Sequence, residues 1–176
     1  MLLAPLTTRL MPSRYTCLEC NKPSMPTNTG KRWAVNERGM VVNADVIRKM
    51  AEVTVSGAMP FPEIVGHLIN AGVEYYLVDY VALSFSFYSE HGGVVVAPLT
   101  FEDLPQVARD FDAAGLRAAI LDSQQNGQPY RHFCARAMQA GVQSYYAFLR
   151  GQRVLYVGRQ GDQHVEWFPG AKRDDA

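Results

Sequence analysis

The chain has 176 residues, 48% hydrophobic and 19% charged, with no net charge, which fits one folded domain with a sizeable core. No run approaches the ~18–20 consecutive apolar residues that a membrane span needs. The neutral total hides an imbalance: residues 1–39 hold six Lys/Arg against two Asp/Glu (+4) and the rest eleven against fifteen (−4), so the acidic body gives no electrostatic footing for nucleic acid.

Residues 1–39 carry four prolines and no usable hydrophobic period, and are expected to be disordered or loosely packed. The opening MLLAPLTTRL lacks a basic segment ahead of a continuous apolar stretch, so no signal peptide is expected. Three cysteines do not make a disulfide framework, and a reducing cytoplasm is the expected compartment. Cys17 and Cys20 have the spacing of half a zinc knuckle. A structural zinc site needs four ligands and no second pair exists, so they are weak metal candidates and no cofactor is implied.

Asn43 is a good helix N-cap, and the spacing of Val46, Ile47, Met50, Ala51 and Thr54 predicts a first helix over about 44–56. Pro60 and Pro62 open a second, with Ile64, Val65, Leu68 and Ile69 as its apolar stripe and Gly72 as its terminator. Then the period changes. Val73–Leu83 and Ser84–Tyr88 are rich in β-branched and aromatic residues, His91-Gly92-Gly93 is a turn, and Val94–Ala97 is a third strand. Thr100–Asp103 resembles a capping box, and Leu104, Val107, Ala108 and Phe111 predict an amphipathic helix after it. A further helix holds Leu116, Ala119 and Ile120 and ends near Asn126-Gly127, and 129–141 are again helical. Val142–Leu149, Arg153–Gly158 and Gln163–Phe168 predict three strands joined at Gly151-Gln152 and Gly161-Asp162, before a mobile tail over 171–176.

The second half repeats the first. At an offset of 69, Pro60 matches Pro129, Ala71-Gly72-Val73 matches Ala140-Gly141-Val142, and Tyr76 matches Tyr145. The expectation is a single α+β domain over 40–170: an internal duplication of a helix-helix-three-strand unit (halves about 43–98 and 112–169), its antiparallel sheet covered by helices.

The repeat sorts the polar residues. Cys134 takes the slot of Val65 and reads as a small buried hydrophobe; His67 and His132 exchange with Arg136 and Glu63 and read as solvated helix face. His164 and Glu166, two apart on a strand, face one side, as a base and its orienting partner would. Asp79 is the odd carboxylate in an apolar strand. These three are the catalytic candidates. Tyr76, Tyr88, Tyr145 and Tyr156 are the candidates for a ligand site at the junction of the halves.

NADVIRKMAEVTVSGAMPFPEIVGHLINAGVEYYLVDY and AGVQSYYAFLRGQRVLYVGRQGDQHVEWFP resemble the YbcV-like proteins, a bacterial family of unknown function often labelled phage envelope proteins; the likeness covers about 43–169. It implies no catalytic residues. The leading expectation is a non-enzymatic domain binding a small molecule or protein. The alternatives are a small enzyme using His/carboxylate chemistry and a phage-derived structural protein.

Overall fold

The computed structural model describes residues 34–35 and 41–171. Two short strands, β1 (Ala34–Val35) and β2 (Val41–Val42), pair antiparallel. Helix α1 (Ala44–Ser56) follows, its first turn capped by the Asn43 side chain, which accepts from the Val46 N–H at 3.2 Å, and its end closed by Gly57 in the left-handed region. Helix α2 (Phe61–Asn70) starts on Pro60, with Pro62 in the first turn where a missing N–H leaves no bond unmade.

Strands β3 (Val73–Asp79), β4 (Ser84–Ser89) and β5 (Val94–Pro98) form a meander. After an irregular segment come α3 (Ala113–Asn126), α4 (Tyr130–Gln139), β6 (Val142–Phe148), β7 (Arg153–Gly158) and β8 (Gln163–Trp167). The last six strands make one antiparallel sheet in the order β5-β4-β3-β6-β7-β8. Helices α1 and α2 pack together, as do α3 and α4, and α2 lies over β3 as α4 lies over β6. Alternate strand residues and the helix stripes fill one core.

Element bounds recur 69 positions apart: β3 with β6, β4 with β7, β5 with β8, α2 with α4. So do turn hydrogen bonds. Ser89 N–H donates to the Gly93 carbonyl, and Gly158 N–H to that of Asp162. The halves meet at β3–β6, where Leu77 pairs with Tyr146, its own counterpart.

Two expectations are corrected. The run Val73–Leu83 is not strand to its end. It stops at Asp79, whose carboxylate accepts the N–H groups of Val81 and Ala82 at 2.8 Å each, closing a turn in which Leu83 takes φ +49°. The helix expected after the Thr100–Asp103 box is also absent. Asp103 itself sits at φ +57°, and Pro105 biases Leu104 away from helical backbone. The segment instead runs as a strap along α4: the N–H groups of Ala108 and Asp112 donate to the carbonyls of Met138 and Ala140 at 2.9 Å each. Those carbonyls lie at a helix end, where the i+4 donors run out; the Met138 carbonyl also accepts the Gly141 N–H at 3.0 Å, and the strap supplies the remaining donors. Leu104, Val107 and Phe111 still pack on the core, so the apolar pattern was sound and its period was not helical.

The strap makes Gly141 more demanding than its counterpart Gly72. Both hold positive φ, +84° and +86°. A Cβ at Gly72 would meet open space, whereas one at Gly141 would overlap the carbonyl oxygen of Asp110. Gly72→Ala should therefore cost about 1–2 kcal/mol of left-handed strain, and Gly141→Ala roughly 3–5 kcal/mol with the added backbone overlap. Urea midpoints of the two variants check this; equal losses would contradict the close approach.

Candidate functional site

The sheet has two unlike faces. On the helix side, Tyr76, Tyr145 and Tyr156 come together. Tyr76 and Tyr145 ring centroids are 6.2 Å apart, those of Tyr145 and Tyr156 5.4 Å, and all three residues are buried. Tyr80 and Tyr130 complete the cluster, with the Tyr130 and Tyr145 hydroxyls 2.7 Å apart. Tyr130 is half-buried as a residue, but its hydroxyl lies inside the cluster. The Cys134 thiol, on α4, faces Tyr80 and Tyr130, and burial pushes it up to about 12. It stands beside the buried Tyr80 hydroxyl, which among the described residues has no nitrogen or oxygen partner. Burial raises all five phenols above their usual 10.0.

Tyr88, the fourth expected ligand residue, is on the opposite face. It stacks on Tyr75 at 4.7 Å, so the four tyrosines do not share one surface. This open face is laid out in rows by strand register. One row crosses the sheet as Val94, Tyr88, Tyr75, Phe148, Arg153, Trp167. Its rings form a ladder: Tyr75 to Phe148 at 5.7 Å, then the Arg153 guanidinium 6.0 Å from the Phe148 centroid and 5.5 Å from that of Trp167. The middle row is Val96, Ser86, Leu77, Tyr146, Leu155, Val165, and the third is Pro98, Ser84, Asp79, Ser144, Val157, Gln163. Val94, Val96 and Val165 are exposed.

The catalytic candidates separate. His164 and Glu166 meet on the helix side of the edge strand β8: His164 Nε2 is 3.4 Å from a Glu166 oxygen but makes no hydrogen bond, and its ring lies 6.2 Å from Tyr156. Asp79 is in the third row of the other face, and its carboxylate is engaged by the turn it closes. The three therefore do not converge on one cleft. Cys17 and Cys20 lie outside the described residues. Among the described residues, no group of three or more His, Cys, Asp and Glu is placed to hold a metal ion, and no helix is long and apolar enough to cross a membrane.

Sequence reasoning passed over Tyr75, Phe148, Arg153 and Trp167 as a unit. The signal was available in part. Phe148 and Arg153 flank the Leu149–Gln152 turn, so a hairpin must set them opposite each other. Tyr75 and Tyr146, one position from buried Tyr76 and Tyr145, must face the other way.

Fold and face define a two-layer α+β protein with an aromatic sheet surface that no described residue covers. The chain belongs to the family described as "Protein of unknown function (DUF1398)", whose model matches residues 49–165. No curated protein matches it.

The buried phenols make a pH prediction. A group neutral in the fold and ionised when unfolded favours unfolding once pH exceeds its unfolded value. Stability should hold up to about pH 9, then fall as pH rises through the free thiol and phenol values, 9.0 and 10.0. Tyrosinate absorbance from these five residues should appear together with loss of far-ultraviolet dichroism. Their ionisation while the dichroism is intact would contradict the packing.

Proposed function

We propose that this chain is a cytoplasmic, non-catalytic binding protein whose working surface is the open face of its six-stranded sheet. One observation carries the reading: an uninterrupted ladder of rings and one guanidinium, Tyr88–Tyr75–Phe148–Arg153–Trp167, with nothing described packed over it. Six strands at ~4.8 Å and about five residues at ~3.4 Å give a face of roughly 500 Å². That is the scale of the core of an interface that buries about 800 Å² per partner. Tyrosine, tryptophan and arginine are the residues that dominate binding energy at such cores. The catalytic alternative loses its third member, since Asp79 stands on the face opposite His164 and Glu166.

The likeness to the YbcV-like proteins belongs to the same reading, as a family of binding modules sharing this face. The partner surface is a protein's, neither nucleic acid nor membrane, because the body is acidic and the face carries few cations.

A photo-reactive benzophenone side chain placed at Val96, in the middle row, tests this in native cells. The expected result is a discrete cross-linked protein from Val96 and none from a control at Glu52, an exposed position on α1. No adduct from Val96, or the same adducts from both positions, would overturn the reading.

A further inference from the structure

The middle of the aromatic row borders a shallow hollow of about 410 Å³ lined by Glu74, Tyr75, Phe148, Arg150, Gly151 and Arg153. Its charges are sorted. Arg150 is taken by Glu90, with nitrogen–oxygen distances of 3.0 and 3.5 Å. Arg153 is held by the rings of Phe148 and Trp167, and neither it nor Glu74 has an ion-pair partner among the described residues. One hollow thus carries an unpaired guanidinium, an unpaired carboxylate and parts of two aromatic rings. A guanidinium drawn to ring faces still has its fork of donors for a carboxylate.

The other half of the chain serves as an internal control. At the related bend the residues are Gln143, Ser144, Asp79, Val81, Ala82 and Ser84. The same hairpin turns there, Leu83 at φ +49° answering Gln152 at φ +51°, and the same bulge is present in β6 as in β3. The fold therefore makes this bend without a ring, a guanidinium or an unpaired carboxylate pointing to solvent. Those groups are extra to folding, and they are gathered at one end of one face.

The geometry points to a binding site for a small zwitterion bearing an aromatic ring, the chemistry of a free aromatic amino acid. Arg153 takes the carboxylate, Glu74 takes the ammonium, and the ring lies against Tyr75 and Phe148. Charge complementarity selects this class: with Arg150 neutralised by Glu90, the lining offers one positive and one negative group, which an anion or a cation alone would leave half matched. The site rests on the reading of the open face as a binding surface and names a ligand for one end of it.

Amide NMR titrations of the full chain test it with four probes: L-phenylalanine, phenylacetate (no ammonium), phenethylamine (no carboxylate) and L-alanine (no ring). Phenylalanine should shift the amides of Glu74, Tyr75, Phe148 and Arg153 and bind more tightly than the other three. Arg153→Ala should weaken phenylalanine about tenfold or more, through loss of a charge-assisted pair. Glu74→Gln should erase the preference for phenylalanine over phenylacetate. The amide spectrum of each variant reports whether it is folded, and Arg153→Lys, which keeps the charge and loses the fork, should still bind weakly. No shift at the hollow, unchanged affinity in folded Arg153→Ala, or equal binding of all four probes would overturn the site. The Val96 cross-link does not depend on this ligand: its presence without these shifts removes the zwitterion alone, and its absence removes the face.

Discussion

The seam between β3 and β6 is the interaction on which the rest of the structure depends. Each half is a three-stranded meander with two helices, and a meander alone offers an unpaired inner edge. At the seam the two edges satisfy each other reciprocally. Tyr80 N–H donates to the Gln143 carbonyl at 2.9 Å, and Leu149 N–H donates to that of Glu74 at 3.1 Å. Each donor stands just past the end of one central strand, and each acceptor sits at the bulge of the other. The register centres on Leu77 opposite Tyr146. Two exposed strand edges, each a hazard for aggregation, become the middle of one sheet.

That seam also decides which surface is left open. Halves related about an axis along the sheet normal keep their helices on the same side. All four helices then cover one face, and among the described residues the opposite face of all six strands has no second layer. On the covered side the seam brings Tyr76 and Tyr145 together, and the cluster must absorb several hydroxyls in an apolar interior. It pairs Tyr130 with Tyr145 and leaves the Tyr80 hydroxyl with only the Cys134 thiol beside it. On the open side the same strands present the alternate residues, Tyr75, Leu77, Tyr146 and Phe148. One backbone arrangement thus accounts for both the tyrosine-rich core and the aromatic surface.

Much of this was legible from the residues. Period and capping placed the helices, because Asn43, Pro62 and Gly72 act locally. The 69-residue repeat located the strands, because its glycines and tyrosines hold their registers. What local rules missed was decided at long range. The strap over 104–112 carries an apolar spacing that suits a helix, yet its N–H groups are used by the end of α4, a partner that sequence spacing does not reveal. The apolar Tyr80–Leu83 run turns because the Asp79 side chain supplies the acceptor. The candidate site was half legible. Aromatic strands were evident, but grouping tyrosines by position in the repeat joined Tyr88 to Tyr76, Tyr145 and Tyr156. Strand alternation, once register is known, puts it with Tyr75 instead. Arg153 drew no attention because a lone arginine beside a turn is ordinary; its place between two rings exists only after β6, β7 and β8 pair.

The most direct test of the account is native-state hydrogen exchange at the seam. If the halves form one cooperative sheet, the amides of Tyr80 and Leu149 should exchange only through global opening, with the same free energy as amides within the β4–β3 and β6–β7 pairs. If the seam amides exchange at a markedly lower free energy while those within each half stay protected, the halves separate on their own. The single sheet, and the continuous open face built on it, would then be contradicted.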